Sequence, residues 1–411
     1  MSLLFGLLLI LIVRLAKGGS NSACPPASTE AAKASEAALA DFSVNVYKHI
    51  SANTEDKNAV MSPVSVALGL ALLESGASGA TREKIKALLA GSASDADVLA
   101  SYRALQKQLS INDEKTKLSI ANGIFPQKDF TLKPDFVATV RDCFESATEN
   151  VDFRNQLEAS RQKINQWVSD KTSSKIPELF KPNVLSPDVL LVLANAIYFK
   201  GAWNSPFSSA NTKQSTFFRF GREQDQQTVQ FMRLTTYFGY SSDANVDVLE
   251  MHYKNRDLAM YILLPKTKDG LTAFGQQLTG EKFRSITSNL RTRYINVTLP
   301  KFVIRSPIDL KDVLSNKFDL GVIFSNAADF GRLSAAPLKV SKAVHEAYIN
   351  VNENGTEAAA ATGFSAMFRS AHRPNPQHFI ADHPFLYAIK HKPTGSIIFL
   401  GKVNFIDENQ N

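Results

Sequence analysis

Residues 355–377 read GTEAAAATGFSAMFRSAHRPNPQ, and the rest of the fold is best read outward from this stretch. It holds no large apolar residue before Phe364, although it lies between two runs that look like strands. The four alanines Ala358 to Ala361 favour helix by propensity alone. Yet no apolar face repeats at helical spacing, and breakers bracket the segment: Asn354-Gly355 before it and Arg373-Pro374-Asn375-Pro376 near its end. The stretch therefore reads as a long exposed loop. Loops of more than roughly 15 residues inside a compact domain are usually functional.

On the C-terminal side, residues 385–390 and 397–403 read as two strands joined by the turn Lys392-Pro393-Thr394-Gly395. On the N-terminal side, residues 189–199 (VLLVLANAIYF) form a nearly continuous apolar run, the pattern of a strand covered on both faces. Shorter strand-like runs occupy residues 246–251, 258–264 and 294–299. The first part of the chain is helical instead. Leu39, Phe42, Val46 and Ile50 recur at helical spacing across residues 30–51. Ser62-Pro63 opens a second helix running to Leu73, and a third runs from Thr81, read as its cap, to Gly91. Helices lead and strands follow, with no internal repeat and no clear linker, so one α+β domain is expected.

The chain has 411 residues, 44% of them hydrophobic and 21% charged, which supports a large core and excludes a disordered chain. Residues 3–13 are unbroken apolar sequence ended by Arg14. That run is too short for a membrane span, which needs about 20 residues, and suits a secretory leader. The small residues Ala16, Gly18, Ser20, Ser22 and Ala23 suit a cleavage site between Gly18 and Cys24. We therefore divide the chain into a signal peptide (1–23), a flexible N-terminus (24–34), one domain (35–406) and a C-terminal tail (407–411). Losing Arg14 and Lys17 with the leader lowers the formal charge from +7 to +5, a mild balance that does not imply nucleic-acid binding. Cys24 and Cys143 are the only cysteines, too few for a disulfide framework, and pairing and free thiols both remain open.

Several ordered stretches stand out along the chain. They are Ser62-Pro-Val-Ser-Val-Ala67, Gly76-Ala-Ser-Gly-Ala-Thr81, Asn195-Ala-Ile-Tyr-Phe-Lys-Gly-Ala-Trp203, Leu299-Pro-Lys-Phe302 with Asp309-Leu310, and Leu338-Lys-Val-Ser-Lys-Ala-Val-His345. Glu353-Asn-Gly-Thr-Glu-Ala-Ala-Ala-Ala361, Ala381-Asp-His-Pro-Phe-Leu386 and Gly395-Ser-Ile-Ile-Phe-Leu-Gly401 complete the set, and through these stretches the chain resembles the serpin family from about residue 35 to residue 406. The resemblance implies an α+β serpin fold of three β-sheets with eight or nine helices and an exposed reactive-centre loop. It also implies a function: a secreted, monomeric, non-enzymatic inhibitor that traps a trypsin-like serine protease covalently.

By the family's spacing, a count of seventeen starting at Glu353 puts the scissile bond between Arg369 and Ser370. Arginine suits a protease pocket with an aspartate at its base. Arg373 is followed by Pro374, which disfavours cleavage there, and Met367 or Phe368 would serve only if the register slipped. The hinge comprises Gly355, Thr356, Glu357, Ala358, Ala359, Ala360, Ala361 and Thr362. If it enters a sheet, strand alternation turns Thr356, Ala358, Ala360 and Thr362 inward and Glu357, Ala359 and Ala361 outward. No inward residue is bulky or charged.

Ser62, Ser65, Asn195 and His345 match positions beneath the sheet that opens, and Trp203 matches the place where the loop first enters. The alternative reading is a non-inhibitory or substrate-type serpin acting as carrier, storage protein or chaperone. Such relatives tend to carry bulky, charged or proline residues in the hinge. An unrelated secreted enzyme is disfavoured, because no G-x-S-x-G elbow, H-E-x-x-H pair, phosphate loop or metal-ligand spacing is present. No cofactor, metal or membrane partner is expected. Lys282, Arg284, Arg291 and Arg293 offer weak heparin-like polyanion binding, and two sequons, at Asn296 and Asn354, offer glycosylation. A glycan on Asn354 would hinder insertion.

Overall fold

The computed structural model describes residues 28–90, 94–357 and 375–407. The leader, hinge residues 358–362 and the Arg369-Ser370 bond lie outside them.

Helix Pro63–Gly76 organises the interior. Ser62 caps it, its hydroxyl accepting the Ser65 amide at 3.2 Å, and Pro63 takes the first turn, where its missing N–H costs nothing. Thirteen of its residues are buried, and a helix apolar on all sides is stable only inside a molecule. It packs against strands Thr116–Pro126 and Leu191–Ala202 of one sheet and against Ile397–Val403 of another. It is one of nine α-helices among the described residues.

The first sheet has seven strands. Its order is Phe302–Asp309, Lys342–Asn352, Gly355–Thr356, Leu191–Ala202, Thr116–Pro126 and Ile111–Asn112, with Ala147–Thr148 beside Thr116–Pro126. The second hydrogen-bonded set has nine strands and is really two layers. They share Gln226–Ser242, whose residues 231–240 pair with Arg291–Pro300 while residues 239–242 pair with Val246–His252. One long strand thus joins two of the three expected sheets. Helix Leu157–Lys171 packs on Thr116–Pro126 and Leu191–Ala202, and Ile164, Val168, Phe125 and Ile176 fill the space between.

The structure departs from the sequence expectations at a few points. The third helix is Gly79–Ala90, so Thr81 lies inside its first turn rather than at its cap. The Arg82 amide reaches back to the Ser78 carbonyl, and the Thr81 hydroxyl instead accepts the Asp329 amide at 2.9 Å. The loop expected from residue 355 onward begins inside the sheet, since Gly355–Thr356 is a short strand and both residues are buried. Strands Thr116–Pro126 and Gln226–Ser242 had no counterpart in the sequence reading.

Candidate functional site

The site is the centre of the seven-stranded sheet. Residues 342–347 of Lys342–Asn352 pair directly and in parallel with residues 192–197 of Leu191–Ala202. On their far sides these two strands make antiparallel ladders, with Phe302–Asp309 and Thr116–Pro126 respectively. Beyond Ala347 the central pair parts, and Gly355–Thr356 fills the gap. Thr356 lies opposite Val351 and Gly201, and Gly355 opposite Asn352 and Ala202, antiparallel to both neighbours.

Gly355 makes this return possible. Its φ is +150, and a Cβ there would overlap the Gly201 carbonyl. Thr356 turns inward with no exposure, and its hydroxyl meets the Tyr253 hydroxyl at 2.7 Å. Tyr253 stacks on Trp203 at 4.6 Å between ring centres. Trp203 then holds the turn above: its indole N–H donates to the Asn352 carbonyl at 2.9 Å and its amide to the Asn354 carbonyl at 2.8 Å. Glu353 anchors the same turn through Thr212 at 2.8 Å and Lys301 at 3.3 Å.

Glu357 follows the last paired residue of the short strand. Its amide still donates to the Asn350 carbonyl at 2.9 Å, but its φ is +56, a left-handed turn that a residue with a Cβ adopts at a cost. Its side chain takes the opposite face from Thr356, as alternation requires, yet it is only 5% exposed. The carboxylate pairs with Lys175 at 3.2 Å, and its charge acts on the Tyr198 and Tyr348 hydroxyls. Burial first, then the Glu357 charge, raises both hydroxyls, that of Tyr198 to about 12. The outward position is therefore covered rather than solvated.

Beneath the closed part of the slot lie Ser62, Ser65, Asn195 and His345, all with no exposure. The Ser62 amide donates to His345 Nε2 at 2.9 Å, so Nε2 must be unprotonated and Nδ1 carries the hydrogen, which goes to Asn195 Oδ1. Asn195 Oδ1 also accepts from the Ser65 hydroxyl at 3.2 Å. Its amide nitrogen donates to the Ser65 carbonyl at 2.8 Å and to Asn122 Oδ1. Every polar atom of the Asn195 side chain is thus used. Asn122, which completes the cluster, was missed by the sequence reading; it faces Asn195 across the adjacent ladder, a contact that only the register reveals. Burial pulls the His345 imidazole down to about 3.

A family model described as Serpin (serine protease inhibitor) matches residues 37–405. The chain belongs to the serpin family. Leukocyte elastase inhibitor of Sus scrofa is 36% identical over 380 residues, covering 90% of this chain and 98% of that protein. Serpin48 of the insect Tenebrio molitor is similar in structure, with TM-score 0.82 and 30% identity, covering 91% of this chain and 99% of its own. Human thyroxine-binding globulin aligns with TM-score 0.83 and 28% identity, covering 92% of this chain and all of its own. The family is described as one of serine protease inhibitors, which supports a protease as the partner of this chain.

The remaining candidate residues of this serpin are dispersed. Lys282 lies over the Phe274 ring at 5.4 Å, and Arg284 turns towards buried Lys390, whose ammonium is driven down by burial. Only Arg291 and Arg293 of that basic group are fully exposed, on one face of Arg291–Pro300. Asn354 sits in the turn under Trp203, its amide bonded to Asn352 Oδ1 at 3.0 Å. Asn296 lies on the outer face of Arg291–Pro300. Cys143 is buried on helix Pro134–Phe144 and is disulfide-bonded, while Cys24 lies outside the described residues.

Two measurements test this geometry. In a Trp167→Phe background, Gly355→Ala should push Gly355–Thr356 out of the slot and shift Trp203 emission to the red; unchanged emission would mean that the slot accepts a Cβ. For His345, the unfolded imidazole binds a proton near pH 6.5 and the folded one only near 3. The unfolded state holds more protons between those values, so stability should fall on acidification by about 1.4 kcal/mol per pH unit from this group. Burial also lowers His252 and His391, so the contribution of His345 is read as the difference in urea stability between the protein and His345→Gln at pH 7.5 and 5.

Proposed function

We propose that this serpin is a secreted inhibitor of trypsin-like serine proteases that is cleaved after Arg369 and traps its target by inserting the hinge. The observation that carries the reading is the two-residue strand Gly355–Thr356, already antiparallel to both walls of the slot. Continuing that register sets Ala358 between Ile349 and Phe199, Ala360 between Ala347 and Ile197, and Thr362 between His345 and Asn195. Each inward position receives a residue small enough to pass. Thr362 brings a hydroxyl level with the buried polar cluster of Ser65, Asn195 and His345.

The chemistry belongs to the protease. Its serine oxygen bonds to the Arg369 carbonyl carbon, the amide bond to Ser370 breaks, and the Ser370 amine leaves with a proton. Insertion then extends the hinge by about 3.3 Å per residue and carries the ester roughly 40 Å along the sheet. It adds on the order of ten backbone hydrogen bonds, each worth about 0.5–1.5 kcal/mol net. Trapping requires this movement to outrun hydrolysis. The apolar run at residues 3–13 supports secretion, and so does a disulfide at Cys143, since such bonds persist in oxidising compartments.

Trypsin mixed with the mature protein should give a complex that survives boiling on a denaturing gel, with a released fragment beginning at Ser370. Thr356→Arg should keep Arg369 cleavable but abolish the complex, because a guanidinium would have to sit against Tyr253. A stable complex from that variant would sink the insertion register. Clean cleavage of the unaltered protein with no complex would mark a substrate-type serpin.

A further inference from the structure

The outer face of Arg291–Pro300 carries a feature that protease trapping does not use. Ile295, Val297 and Leu299 are buried, so Tyr294, Asn296 and Thr298 point to the opposite side. Strand Gln226–Ser242 sets Tyr237 opposite Tyr294 and Thr235 opposite Asn296, while strand Gln377–Ile380 sets His378 opposite Asn296 on the other flank. Tyr237 is 58% exposed and Ile380 46%, two of three large apolar side chains so exposed among the described residues. The Tyr237 and Tyr294 rings lie 5.1 Å apart. Among the described residues the Asn296 side chain makes no hydrogen bond, although it stands between two neighbouring strands.

We infer that Asn296 carries an N-linked glycan whose first sugar rings lie over Tyr294 and Tyr237. The inference rests on the secretion proposed above. Asn296-Val297-Thr298 meets the acceptor requirement, and an extended backbone aligns the Asn296 amide with the Thr298 hydroxyl on one side. The donor is an oligosaccharide linked to a lipid diphosphate. The Asn296 nitrogen bonds to the anomeric carbon of the terminal N-acetylhexosamine and loses a proton, and the bond from that carbon to the diphosphate oxygen breaks, the diphosphate leaving with the electron pair. Asn296 lies on a partly exposed face, flanked by exposed Thr235 and His378, where a sugar can project. Tyr294, two residues before Asn296 on the same face, and Tyr237 beside it offer flat apolar surfaces to the C–H faces of a sugar ring. Diagonal neighbours on a sheet lie about 7–8 Å apart, within reach of a ring attached at Asn296. Exposed Tyr237 is then covered by carbohydrate.

The full chain is expressed in eukaryotic cells in two forms, one with its own residues 1–23 and one with a heterologous leader replacing them. Peptide-N-glycosidase F should shift the mobility of secreted protein and convert Asn296 to Asp in the peptide mass spectrum. Asn296→Gln and Thr298→Val should each abolish that conversion, and Asn354→Gln should leave it intact. Nitration of Tyr237 by tetranitromethane should be several-fold slower in the glycosylated protein than in Asn296→Gln. Retention of the first form with modification of the second would defeat the secretion reading and uphold the site. Unmodified Asn296 in material secreted from both forms would overturn the site alone. Equal nitration rates with the glycan present would overturn the covering of the tyrosines. Slower trypsin association in Tyr237→Ala with Asn296 unmodified would make this face a protease contact instead and overturn the glycan.

Discussion

At the middle of the seven-stranded sheet, residues 342–347 and 192–197 pair in parallel, although each of those strands makes an antiparallel ladder with its other neighbour. Parallel pairing is slightly weaker per residue, and it is the ladder that must break if a strand is to enter. An inserted strand running as Gly355–Thr356 already runs would replace that one parallel ladder with two antiparallel ones. The sheet gains hydrogen bonds and loses its least favourable pairing in a single step. The direction of Gly355–Thr356, set by the turn at Glu353 and Asn354, would therefore make the proposed insertion downhill.

The polar floor under this ladder sets how firmly it is held shut. Asn195 uses all its donors and acceptors, and neutral His345 accepts the Ser62 amide that opens helix Pro63–Gly76. The central helix and both walls of the slot are thus tied by one network. A network of this kind can re-form around a new strand only if that strand supplies polar atoms at the right level, and in the proposed register Thr362 would be the inward residue at that level.

Much of this was legible in the sequence. The run at residues 189–199 announced a strand buried on both faces, and Ser62-Pro63 announced a capped helix. The outward face of Asn296 was also available, because Ile295 and Val297 alternate around it. Other features were not legible, for stated reasons. Gln226–Ser242 mixes polar and apolar residues because it passes from one layer to another and changes its covered side along the way. Thr81 looked like a cap because capping and tertiary hydroxyl contacts use the same residue type. The enclosure of Glu357 depends on Lys175, Tyr198 and Tyr348, which come from three separate elements and meet only once the sheet exists.

Glu357 bears on how insertion starts. A charged residue held by a lysine beside two tyrosines resembles a lock that must be broken before the hinge can move. The register argues otherwise. Glu357 already donates its amide to the Asn350 carbonyl, the neighbour it would have in a fully inserted strand, so none of its side-chain contacts has to be given up. What turns the chain out of the sheet at this point is the left-handed backbone of Glu357 itself, strained by about 1–2 kcal/mol relative to an extended one. In the proposed insertion, rotating that single residue into the β region would relieve the strain and bring Ala358 level with Ile349 and Phe199. Gly355–Thr356 would then serve as the nucleus of the new strand, and cleavage would have only to free the far end of the hinge for that strand to grow.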